Sequence, residues 1–323
     1  MSFSGAVTRR AALRAGGAIA GAAFAGTIAP AWLRAYTQQA PQGDRLAQMR
    51  HQLGAAPIAV DKLAANVSLL SGAGGNVILI QGKDGKVLVD GFVKTAWPNL
   101  KKTLDAADPT PIRALIDTHW HFDHADNNGN ARAEGATVIA SEKTLARLSQ
   151  SHDVLGMHFD PEPSSALPNK TFATGLQIPI NGEELSLSLI PPAHTDTDTF
   201  VLLRKANVLH MGDVFFNGVY PFIDASTGGR INGMIDGAAR ALKMANAQTK
   251  IVPGHGPLGD RAALTRYRDM LSTIRDRVQK LKAAGRSLAD VKAARPTADF
   301  DAAWGKGGML DGDGFVELVF STL

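Results

Sequence analysis

Apolar and polar positions alternate along this chain in two different rhythms, and the rhythms take turns. Residues 77–80 and 87–89 are short apolar runs separated by a Lys-Asp-Gly turn, which predicts a β-hairpin within a β-rich stretch over 66–92. Residues 95–107 have helical spacing and stop near Pro109. Residues 112–117, "IRALID", form a compact apolar run that predicts a buried strand. Asn127 or Asn128 can cap a helix that runs to about Glu134, and a strand at 136–141 and a helix at 142–150 follow. The second half repeats the plan. Strands are predicted at 176–180 and 184–192, and a strand pair within 199–213 ends at Asp213. After these come a helix at 237–247, a strand at 249–257, a long amphipathic helix over about 260–284 and a shorter one at 287–293. Strand, loop, helix, repeated twice, implies an α/β chain with two mixed sheets and helices on their outer faces.

The first residues do not belong to this pattern. Arg9, Arg10 and Arg14 precede a mildly apolar Ala/Gly-rich run to Ala29, and "APA" at 29–31 offers small residues for cleavage. The Arg9-Arg10 pair with Leu13 resembles a twin-arginine export signal, although Ala12 stands where a larger apolar residue is common. Residues 1–31 therefore read as a cleaved leader and 32–56 as a loose or helical lead-in. Residues 57–323 read as the catalytic domain. The expected location is the periplasm or another exported compartment, with no stable membrane insertion after cleavage.

Composition narrows the chemistry. The chain has 323 residues and no cysteine, so disulfides and thiolate ligands are excluded and any metal must be held by His, Asp or Glu. The net charge is +4, and the three leader arginines supply most of it. The remainder is near neutral, which gives no electrostatic case for nucleic acid and leaves a small-molecule substrate as the expected partner. The sequence carries no signal for an oligomeric state.

Three of the nine histidines fall within "THWHFDH" at 118–124. Alternate residues of an extended segment share a face, so His119 and His121 can grip one ion. Once the chain turns, Asp123 and His124 can serve a neighbour. His194, Asp213 and His255 each follow a predicted strand. His119, His121 and His194 make one group with an open position; Asp123, His124 and His255 make the other; Asp213 can bridge them. That donor set suits two Zn2+ ions. Asp90 and Asp198 are the candidate carboxylates for the outer imidazole nitrogens.

These motifs resemble those of the metallo-β-lactamase superfamily. "THWHFDH" matches its H-x-H-x-D-H motif, and His194, the Gly212-Asp213 pair and the "PGHG" around His255 follow in the family's order. "LVDG" at 88–91 resembles its strand-end Asp-Gly. The resemblance spans roughly residues 60–260 and implies an αββα sandwich with a binuclear zinc centre. The activity it implies is hydrolysis of a carbonyl (ester, lactone, thioester or β-lactam) by a metal-bound hydroxide, with Asp123 orienting the nucleophile. The alternative it allows is a mononuclear iron persulfide dioxygenase on the same fold. Subclasses with a cysteine in the second zinc site are excluded by Asp213.

Other features carry weaker expectations. Residues 215–229 could wall the substrate pocket, with Asn217 or Tyr220 as an oxyanion donor, and Arg230 reads as a solvated surface residue. Residues 151–168, with three prolines, read as a loop over the mouth. "DGDG" at 311–314 reads as a tight turn. His51, His152, His158 and His210 lack a ligand-like setting.

Overall fold

The structure, a computed structural model, describes residues 45–323. The expected leader and the first part of the lead-in lie outside these residues. What remains of the lead-in is helix α1 (Arg45–Gly54).

Two sheets form the centre. The first has seven strands: β1 (Ala59–Ala64), β2 (Val67–Ser71), β3 (Asn76–Ile80), β4 (Lys86–Val89), β5 (Ile112–Ile116), β6 (Thr137–Ser141) and, at the far edge, β9 (Lys170–Phe172). Its first four strands meander antiparallel, and β4, β5, β6 and β9 run parallel. The second has five: β10 (Gly175–Ile180), β11 (Glu183–Leu189), β12 (Thr199–Leu203), β13 (Val208–His210) and β14 (Lys250–Val252), of which only β13 and β14 pair parallel. A small hairpin, β7 (His152–Val154) with β8 (Met157–Phe159), stands apart from both.

Strand alternation sorts the side chains into layers. Ile78, Ile80, Val87, Val89 and Ile116 face inward and meet Leu185, Leu187, Val201, Leu203 and Val252 of the other sheet. Their sequence neighbours Val77, Leu79, Leu88 and Leu115 face outward, onto Leu100 and Leu104 of helix α2 (Trp97–Ala107). Beyond the second sheet lie α6 (Ile231–Met244), α7 (Arg261–Ala283) and α10 (Gly312–Thr322). The apolar stripe of α7, from Leu264 and Tyr267 through Leu271, Ile274 and Val278, repeats at three and four residues and is buried along its length. The layers are helix, sheet, sheet, helix.

Most predicted elements lie where the pattern put them. Three elements depart from it, two of them for a visible physical reason. Helix α6 starts at Ile231, earlier than expected. Its Gly233 and Gly237 are poor helix formers, but a Cβ at Gly233 would lie 1.9 Å from the Pro192 carbonyl oxygen, so close packing overrides propensity. "DGDG" is not an isolated turn: Asp311 accepts the Gly314 N–H and caps α10. Residues 151–168 hold the β7–β8 hairpin rather than bare loop. The remaining helices are short: α3 (Phe122–Ala125), α4 (Asn128–Ala133), α5 (Glu142–Leu148), α8 (Leu288–Ala293) and α9 (Asp301–Trp304). No described helix is long and apolar enough to cross a membrane.

Candidate metal centre

Parallel strands β4 and β5 end side by side, and the chain leaves β5 directly into the histidine segment. His119 lies in a bend after β5, His121 just before α3, and Asp123 and His124 in the single turn of α3. His194 leads into β12, Asp213 follows β13, and His255 follows β14. Strand ends from both sheets therefore deliver all of these side chains to one edge of the sandwich. They form two groups, His119, His121, His194 and Asp213, and Asp123, His124 and His255. Within each group the ligand atoms lie within 4.8 Å of one another.

Asp213 stands between the groups. Its Oδ2 is 3.5 Å from His194 Nε2, 3.9 Å from His119 Nε2 and 3.3 Å from His255 Nε2, and its Oδ1 is 3.1 Å from His124 Nε2. Asp123 Oδ2 is 3.2 Å from His255 Nε2 and 3.6 Å from His124 Nε2. Gly254 makes room for this arrangement: a Cβ there would lie 1.9 Å from Asp213 Oδ1.

The outer ring nitrogens fix the tautomers. Thr118 Oγ1 donates to Asp90 Oδ2 at 2.9 Å, so it can only accept from His119 Nδ1 at 3.1 Å. His124 Nδ1 donates to Asp90 Oδ2 at 2.8 Å, and His194 Nδ1 to the Phe222 carbonyl at 2.9 Å. His121 is reversed, with Nε2 donating to Asp224 Oδ2 at 3.1 Å. In these tautomers the inner nitrogens of His119, His121 and His194 are left as lone pairs, while that of His124 faces Asp213 Oδ1 at 3.1 Å. His194 Nε2 and His121 Nδ1 then face each other at 2.9 Å as two acceptors, a contact that needs a cation or a proton between them. His119 Nε2 is buried with no hydrogen-bond partner, and His124 Nε2 and Asp213 Oδ1 have none beyond their own ion pair at 3.1 Å. Buried polar atoms are seldom left so, and a metal ion in each group would satisfy them. The residues present fit the metals that the sequence implies.

Without metal the two groups differ electrically. Burial, aided by neighbouring His124, holds the His119 pKa well below its ordinary value, and burial lowers His194 to about 4. In the second group burial acts the same way but the carboxylates win. Asp213 and Asp123 raise His255 to about 10, and Asp213, Asp90 and Asp123 lift His124 well above its usual value. Burial pushes Asp123 up, but His124 and His255 outweigh it and bring it down to about 2.

Several expected roles change. Asp198 touches no imidazole ring. It accepts the His194 and Thr195 N–H groups at 2.7 and 3.0 Å and the Thr195 hydroxyl at 2.7 Å, so it shapes the turn that presents His194. The carboxylate that holds a first-group ring is Asp224, within a Phe-Ile-Asp stretch that has no motif to mark it. The Tyr220 hydroxyl donates its one proton to Asp301 Oδ1 at 3.0 Å and so is not a free oxyanion donor, whereas Asn217 Nδ2 spends only one of its two N–H groups, on the Pro257 carbonyl at 2.8 Å. Phe216, stacked on His255 at 5.0 Å, and Phe222, 6.2 Å from His121, are the aromatic neighbours instead. Arg230 is exposed. His210 is a strut, with Nε2 3.1 Å from the Asn76 carbonyl oxygen and Nδ1 accepting the Gly212 N–H. The β7–β8 hairpin packs on the histidine segment through Trp120, whose ring lies 4.7 Å from His152 and 6.0 Å from Phe159.

A mixed two-sheet sandwich with this constellation at one edge is a metallo-β-lactamase fold. Residues 70–293 match the metallo-beta-lactamase superfamily, and the chain belongs to that family. Among curated proteins it is similar to the Caenorhabditis elegans "Beta-lactamase-like protein 2 homolog", 24% identical over 217 residues, or 62% of this chain; it covers 65% of that relative's length. Among solved structures it resembles a metallo-beta-lactamase from Pontibacter korlensis, with a TM-score of 0.56 and 20% identity over 67% of this chain and 99% of that one. It also resembles a double mutant of the sec-alkyl sulfatase PisA1, with a TM-score of 0.59 and 16% identity over 93% of this chain and 57% of that one. At these identities the structural likeness is one of fold.

Proposed function

We propose that this protein is an exported binuclear zinc hydrolase that cleaves a carbonyl bond (ester, lactone, thioester or β-lactam) in a small molecule. The observation that carries the reading is the pair of inward lone pairs on His121 and His194, 2.9 Å apart, beside His119 Nε2, buried without a partner, and the Asp213 carboxylate that faces both groups. Bound zinc would supply a Lewis acid for the carbonyl oxygen and acidify a water toward neutral pH.

The protein's own residues do the rest. Asp90, Asp224, Thr118 and the Phe222 carbonyl hold four imidazoles in the tautomer that presents a lone pair inward. Asp213, within 4 Å of imidazoles from both groups, keeps the two halves in register. Asp123 has the more open of the two inward carboxylates, with 13% of its side chain exposed against 5% for Asp213. In this reading it orients the attacking water and accepts its proton at Oδ2. Phe216 and Phe222 offer apolar surface beside the histidines. Export is proposed from the Arg9-Arg10 leader alone.

The test is a hydrolysis screen of the chain starting at residue 32, with esters, lactones, thioesters, β-lactams and sulfate esters as substrates. The reading expects cleavage in at least one carbonyl class that a chelator abolishes and that Asp123→Asn lowers by about 100-fold or more. Cleavage that survives the chelator contradicts it.

A further inference from the structure

We propose that Arg50, on helix α1, is a positioning residue for the second metal group, which makes α1 part of the centre rather than a tether to it. The inference rests on the binuclear reading above. Arg50 precedes the residues matched by the family, 70–293, so it is a feature of this chain outside that match.

The argument starts from α3. This helix is a single four-residue turn, yet it carries Asp123 and His124. One turn cannot hold itself, because helix nucleation is unfavourable and too few hydrogen bonds follow to repay it. Its geometry must therefore come from outside. Asp126 caps its C-terminal end, with its N–H donating to the Phe122 carbonyl at 3.0 Å. Arg50 grips Asp126 as a fork, Nε to Oδ2 at 2.7 Å and Nη2 to Oδ1 at 2.6 Å. The same guanidinium lies over the Phe122 ring, 5.6 Å from its centroid. One side chain thus touches the residues at both ends of the turn. The Lys94 N–H takes up Asp126 Oδ2 as well, and Thr95 Oγ1 donates to the Arg50 carbonyl, which ties α1 to the same corner.

The pair is nearly dry, with side chains 11% and 2% exposed. A buried bidentate arginine–carboxylate pair sets direction as well as distance, and lysine cannot reproduce the fork. His124 keeps its own anchor on Asp90, so loss of the fork should act mainly through Asp123, letting it move away from His255. His119, His121 and His194 are held by other residues and should be spared.

The test is a stepwise zinc titration of the metal-free protein against a chromophoric chelator, for the wild type and Arg50→Lys. The variant should bind one of its two ions about tenfold or more weakly and the other within about threefold of wild type. The loosened ion should be the one that Asp123→Ala also loses. A purely structural role would weaken both ions alike or lower only the melting temperature, and either result overturns the inference, as does no change. If Arg50→Lys does not fold, Asp126→Asn, which keeps an acceptor but removes the charge pair, is read the same way. A wild-type protein that binds fewer than two ions fails at the first step. It overturns the binuclear reading, and this inference with it, before any variant is compared.

Discussion

Asp224 and Gly254 are where single atoms matter most. Asp224 Oδ2 receives His121 Nε2 and the Thr227 hydroxyl, while Oδ1 receives the Ser226 N–H at 3.0 Å. Removing the carboxylate frees the ring to rotate and to change tautomer. Asp224→Ala should therefore weaken metal binding at the three-histidine group by about 10- to 100-fold, measured by chelator competition. An unchanged affinity would show that Asp224 only braces its own loop. At Gly254 the constraint is space. A methyl group 1.9 Å from Asp213 Oδ1 and within 2.9 Å of the Gly212–Asp213 backbone must displace that carboxylate together with the turn that carries it. Gly254→Ala should keep native circular dichroism but lose at least about tenfold in metal affinity. Unfolding of the variant at ordinary temperature would instead mean that the glycine serves the strand end and not the site.

At the scale of elements, legibility followed burial. Strands β3 to β6 and helix α7 could be read from the sequence because each buries a regular face, so their period survives in the residue pattern. The ligand positions could be read for a related reason: His119, His121, Asp123 and His124 crowd into one loop, and each distant partner follows a strand. Strand β9 and the β7–β8 hairpin could not, since each of these three-residue strands buries a single residue, whereas the equally short β13 and β14 are mostly apolar and buried. Asp224 and Arg50 were invisible because their partners are 103 and 76 residues away, and nothing local marks them. The C-terminal "DGDG" was misread because two glycines suggest a turn, whereas Asp311 begins a helix whose Phe315, Val316 and Val319 are buried. Asp311→Ala should cost about 1 kcal/mol in urea unfolding with metal content unchanged. A loss of metal would give that corner a role in the centre.

Across the whole molecule, the metal centre doubles as a store of buried charge. Asp213 and Asp123 overcome the effect of burial and raise the His255 pKa to about 10 in the metal-free chain, against an unfolded value near 6.5. A raised folded pKa stabilises fully below the unfolded value and is lost as pH climbs through the folded one. The melting temperature of the chelated protein should accordingly fall between about pH 6.5 and 10. The metal-loaded protein should change less, because its imidazoles are already neutral. A chelated protein equally stable at both pH values would show that these charges do not interact as described.

The central claim is that the two groups of residues at one edge of the sandwich, with Asp213 between them, would hold two ions. Elemental mass spectrometry of the purified chain beginning at residue 32 tests it most directly. The account predicts about two zinc ions per chain. About one iron with little zinc would contradict it and point to persulfide oxidation on the same fold.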